Sequence, residues 1–71
     1  MSWSREVYST MVREVGWEEE GEQLIVTWHS GKRSAYVGVP EALAEQCANA
    51  ASVGQFINSE IKPNFGHKYV G

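Results

Sequence analysis

Trp28-His29-Ser30-Gly31-Lys32-Arg33-Ser34-Ala35-Tyr36-Val37-Gly38-Val39-Pro40 is the stretch whose reading decides the fold. Ser30-Gly31 supplies a reversal, and Lys32-Arg33 keeps its far side charged and wet. Residues 34–39 read as a strand, with Ala35, Val37 and Val39 on one parity and Ser34, Tyr36 and Gly38 on the other. Pro40 lacks the amide that a central strand would use, whereas its fixed φ suits the first turn of a helix. The stretch therefore reads as turn, strand, stop and helix start.

Towards the N-terminus, residues 24–29 form a second strand-like run, in which Leu24, Val26 and Trp28 alternate with Ile25, Thr27 and His29. Glu18-Glu19-Glu20-Gly21-Glu22 reads as a turn: like charges repel and Gly21 can take a positive φ. Residues 9–17 read as another strand, with Val15 and Trp17 facing the core. Three strands joined by two short turns make an antiparallel meander. Residues 1–8 show no clear period, but Trp3 and Tyr8 are bulky for a free tail and are expected to pack partly onto the domain.

Towards the C-terminus, residues 41–49 read as a short helix with Leu43, Ala44, Cys47 and Ala48 as its apolar stripe. Ser52 and Gln55 match a capping box and predict a second helix starting at Ser52, with Val53, Phe56, Ile57 and Ile61 buried. Pro63 ends that helix near Lys62, and residues 64–71 are expected to be extended and only partly ordered. The reading is a single α+β domain over residues 1–71, its core at about 8–63. A three-stranded meander is followed by two short helices packed on one face.

Composition narrows the function. The chain has 71 residues, 42% of them hydrophobic, a net charge of −3, and no run long enough to span a membrane. A single cysteine, Cys47, cannot close an intramolecular disulfide, and with no signal-like segment the reading is a cytoplasmic protein. Self-association is one way for so short a chain to cover leftover apolar surface. All nine acidic residues are glutamates, and four of them (Glu18, Glu19, Glu20 and Glu22) fall within one turn.

Ser9-Thr10-Met11, Val15-Gly16-Trp17, Leu24-Ile25-Val26-Thr27-Trp28, Gly31, Tyr36 and Val39-Pro40 share their order and spacing with a known family, the KTSC domain. So do Ala50-Ala51-Ser52-Val53-Gly54-Gln55-Phe56-Ile57-Asn58 and Ile61-Lys62. The chain resembles that family over roughly residues 8–65. Its members include short stand-alone bacterial and phage proteins and a segment at the end of some lysyl-tRNA synthetases. The resemblance implies mostly architecture, with RNA binding suggested for the family. One departure bears on that suggestion: where the family carries two tyrosines two apart on the third strand, this chain has Ser34 and Tyr36, and Trp17 stands where a tyrosine is common. Half of any base-stacking platform is missing.

The reactive groups argue against catalysis. Cys47 sits among alanines on an apolar stripe, where a thiol acts as a small hydrophobe. His29 and His67 are far apart with no ligand at metal spacing, so neither a metal nor a cofactor is expected. Two binding readings stay open. In the first, an adaptor or phage-type inhibitor docks on a basic or nucleic-acid-handling protein. Glu18, Glu19, Glu20 and Glu22 steer it, and Trp17 and Tyr36 anchor it. In the second, Lys32, Arg33, Tyr36, Lys62, Lys68 and Tyr69 hold RNA or single-stranded DNA by phosphate contact and stacking. A continuous acidic surface in the folded chain favours the first, a continuous basic one the second.

Overall fold

A computed structural model of the chain describes residues 2–70. Its sheet has five antiparallel strands in sequential order: β1 (Trp3–Glu6), β2 (Val12–Glu18), β3 (Gln23–Trp28), β4 (Arg33–Val37) and β5 (His67–Tyr69). Helix α1 (Glu41–Ala48) and helix α2 (Val53–Phe56), which continues as a π-helical stretch over Ile57–Ile61, lie between β4 and β5 in sequence. The α+β class and the meander agree with the sequence reading. The strand count does not: it is five, not three. The two ends expected to be loosely attached are the edge strands.

Both additions follow from alternation too short to read alone. Trp3 and Arg5 pair with Trp17 and Val15, which places them on the helix side of the sheet. There the Trp3 indole N–H donates to Glu41 at 3.1 Å and Arg5 forms an ion pair with Glu45, so α1 holds β1 from above. At the other edge, His67 pairs with Tyr36 and Tyr69 with Ser34. The His67 ring lies 5.1 Å from that of Tyr36.

A second departure lies within β2. Val12 pairs with Trp28 and Glu14 with Thr27, which leaves Arg13 as an extra residue in a β-bulge. The bulge breaks the strict parity of residues 9–17, so Val12 and Val15 are both fully buried while Met11 stays half exposed.

The helices cover one face of the sheet, as the sequence predicted. Trp17, Leu24 and Tyr36 form one row across β2, β3 and β4, and Val15, Val26 and Ser34 form the next. Ala44 and Cys47 of α1, Val53 of α2, and Ile57 and Ile61 pack onto these rows to make one core. Ser34 is its buried polar residue, and its hydroxyl accepts the Trp28 indole N–H at 3.0 Å. The serine that departs from the family's paired tyrosines thus satisfies a neighbouring tryptophan.

Pro40 caps α1 as predicted, its carbonyl accepting the amides of Leu43 and Ala44 at 3.1 Å each. Ser52 precedes α2 in an extended conformation, but its side chain makes no capping bond, so the predicted capping box is not formed. The Lys62 amide reaches back five residues to the Ile57 carbonyl at 2.7 Å, the bond that defines the π-helical turn.

Ile57 is fully buried between sheet and helices, so Ile57→Ala is expected to cost about 2–5 kcal/mol in urea unfolding. Met11→Ala, at a half-exposed site, is expected to cost under about 1 kcal/mol in the same assay.

Candidate functional site

The β2–β3 turn is built to display carboxylates. The Glu22 amide donates to the Glu19 carbonyl at 3.1 Å, and Gly21 adopts a φ of 80°. Glu22 follows at a φ of 48°, a left-handed conformation that disfavours a residue with a Cβ. Its carbonyl is fixed by the Val39 amide at 2.8 Å, and the Val39 carbonyl accepts the Trp17 indole N–H at 2.9 Å. These bonds tie the turn to the start of α1, where Glu41 sits beside Trp3. Glu18, Glu19, Glu20, Glu22 and Glu41 are all exposed and occupy one end of the molecule. Glu41 was missed in the sequence because nothing local links it to the turn; its place in the first turn after Pro40 was the available signal.

The two expected aromatic anchors are not surface groups, which corrects the first reading. Trp17 is 6% exposed and Tyr36 is 2% exposed, and both rings belong to the core. The sequence misplaced them because a core tryptophan and an interface tryptophan look alike until the layer above them is known.

The residues named for nucleic-acid binding do not converge either. Tyr36 is buried, and Arg33 and Lys68 lie on the sheet face opposite the helices, across the sheet from the side that carries Tyr69. Lys62 follows the π-helical stretch, away from the β3–β4 turn. One pair survives: the Lys32 ammonium lies 5.8 Å from the Tyr69 ring, and with Arg33 and Val70 they line a cleft of about 260 Å3.

The bare face of the sheet forms a second feature. Ser4, Gly16, Ile25, Ala35 and Lys68 are successive partners across all five strands, a row of mostly small side chains. Glu6, Glu14, Thr27 and Arg33 form the row on one flank, and Glu18, Gln23 and Val37 the row on the other. Glu14, Gly16, Glu18, Ile25 and Arg33 line a shallow cleft of about 310 Å3 there. The β1–β2 side of this face is acidic and the β4–β5 side basic.

His29 donates from Nε2 to the Ser9 carbonyl at 2.9 Å, which leaves its role structural, and His67 belongs to the ring cluster with Tyr36 and Tyr69. Among the described residues no three His, Cys, Asp or Glu side chains converge as a metal site. Cys47 is fully buried, and burial pushes its thiol up to about 12. A thiol held protonated in this way is a poor nucleophile. Burial, then the neighbouring Tyr69 and Cys47, also raises Tyr36 above the usual phenol range.

For Cys47 the sign is fixed: the folded state keeps a proton that the unfolded state gives up above about pH 9. Its contribution to stability is complete below that pH and is lost as pH rises towards 12. Unfolding free energy is therefore expected to fall between about pH 9 and 10, before tyrosines titrate, by at most ~1.4 kcal/mol per pH unit. Cys47→Ala is expected to flatten that slope in denaturant titrations repeated across the range.

With this geometry in place, comparison with known proteins is informative. The sequence model of the KTSC domain family matches residues 8–65. A crystal structure of a KTSC domain protein from Yersinia pestis superposes with a TM-score of 0.89 at 24% sequence identity, covering 100% of both chains. No curated protein matches the sequence. At that identity the Yersinia protein speaks to the fold alone, and all five strands lie within the superposed length. The sequence match over most of the chain is the stronger statement: the chain belongs to the KTSC domain family.

Proposed function

We propose that the chain is a non-enzymatic binding module whose acidic end engages a basic protein, as an adaptor or as an inhibitor of a nucleic-acid-handling protein. One observation carries this reading. Glu18, Glu19, Glu20, Glu22 and Glu41 come from two distant parts of the chain and are joined at one end by the bonds around Val39. A concentrated negative field of this kind steers a cationic surface and raises its association rate. With Trp17 and Tyr36 in the core, the carboxylates themselves provide the contact. The buried Cys47 thiol is consistent with binding rather than covalent chemistry.

The second reading, nucleic-acid binding, now rests on the Lys32–Tyr69 pair and its cleft. It is the weaker because Tyr36 is buried and Lys68 lies on the other face of the sheet from Tyr69. Tyr69→Ala would remove the exposed ring of that cleft, so oligonucleotide-induced chemical-shift changes at residues 32 and 33 that vanish in that variant would revive it.

The test of the first reading is retention of protein from nuclease-treated lysate, with a cationic lysine peptide as a defined probe. Both are expected to bind at ~50 mM salt and to be released by ~500 mM. Replacing Glu18, Glu19, Glu20 and Glu22 together with Gln is expected to weaken peptide binding at least about tenfold. Unchanged binding by that variant would reject the proposal.

A further inference from the structure

We infer that the bare face of the sheet is the contact surface of a homodimer, in which two copies lay these faces together about a two-fold axis running along the strands over β3. The inference goes beyond the partner-binding reading, because it uses the middle of the sheet rather than the acidic end. The helices cover the other face, so this is the broad surface of the sheet that the chain leaves open.

The charges on this face identify the occupant. Rotation about such an axis keeps each residue at its height along the strands while exchanging β2 with β4 and β1 with β5. Glu14 and Arg33 stand in the same row, one strand either side of β3, with Thr27 between them. Glu14 therefore meets Arg33 of the second copy, and the symmetry makes the same pair twice. Among the described residues neither has an ion-pair partner within its own chain. Lys68 of the second copy arrives above Ser4, next to Glu6, which otherwise stands directly across from Glu14. Two facing glutamates repel, and a cation laid over them relieves the repulsion.

The shape agrees with the charges. Gly16 and Ala35 flank Ile25 in the central row and exchange places under the rotation; both are buried within their own chain, so the longer Glu14, Ile25 and Arg33 side chains make the contact. The cleft beside Ile25 has room for an apolar side chain from the opposing sheet. Aligned sheets pack about 10 Å apart. The perpendicular choice of axis, set over the central row, would lay Glu14 of each copy over Glu18 of the other, and like-charge contact rules it out. Five strands spaced about 4.8 Å apart give a face of roughly 500 Å2 per copy, near the lower limit for specific association, so the dimer is weak and sensitive to salt.

Sedimentation equilibrium on the full chain tests this. The wild type is expected to dimerise at roughly tens to hundreds of micromolar in ~20 mM salt and to dissociate in ~500 mM. Glu14→Arg and Arg33→Glu should each weaken dimerisation at least about tenfold, and the double variant should restore it. Ile25→Glu, which sets two charges against each other on the axis, is a further variant that should abolish it. Circular dichroism checks that each remains folded. Three results would overturn the inference: a monomer up to about 1 mM at low salt, a dimer indifferent to either single exchange, or a double variant that fails to recover. A variant with Gln at Glu19, Glu20 and Glu22, which leaves Glu18 of the bare face in place, should lose affinity for the cationic peptide yet dimerise like the wild type, so loss of partner binding and loss of dimerisation are separable outcomes.

Discussion

Val39 is the residue on which the two layers depend. Both of its backbone polar groups are bonded inside the protein: its amide donates to Glu22 and its carbonyl accepts the Trp17 indole N–H. Its side chain is fully buried. Gly38 precedes it with a φ of 83°, turning the chain out of the sheet, and Pro40 follows as the cap of α1. The three residues convert a strand direction into a helix direction within one step. Without these two bonds a buried amide and a buried indole would each lack a partner, at a cost of about 1–3 kcal/mol apiece. The same bonds fix the β2–β3 turn against the start of the helix, so the junction that builds the fold also gathers the carboxylates.

A small domain cannot cover both faces of a five-stranded sheet with two short helices. The chain resolves this by placing its large apolar side chains on one face, where Trp17, Leu24, Tyr36, Ile57 and Ile61 meet. The other face carries small or charged residues that tolerate water. Its edges are protected differently. Strand β1 is held down by Arg5 and Trp3 reaching α1, and β5 is only three residues long and carries Lys68 outward. Short, charged edges discourage further strand pairing. The bare face is thus the surface on which a second copy would have to dock, with charge rather than apolar area setting its register.

Much of the architecture was legible because local chemistry and tertiary structure agree there. The alternation in residues 24–28, the glycine turns at Gly21 and Gly31 and the Pro40 stop each name their structure directly. The edge strands were hidden because three or four residues of alternation fall below what periodicity can resolve; pairing with β2 and β4 creates them. The Arg13 bulge was hidden for a related reason, since an inserted residue scrambles the parity used to read the strand. Of the candidate site, the acidic turn was legible as a charge run, whereas the burial of Trp17 and Tyr36 and the arrival of Glu41 were not.

By itself the sequence determined the class of the domain, the meander, the position of both helices and the family. Those features rest on turn chemistry, capping and spacing within a few residues. The tertiary structure alone decided which aromatic rings are core, which two segments close the sheet, and which charges stand together. These depend on contacts between residues far apart in the chain, such as Trp3 with Glu41 and Glu22 with Val39. No local pattern encodes such contacts, because only the packed layers bring the partners within reach.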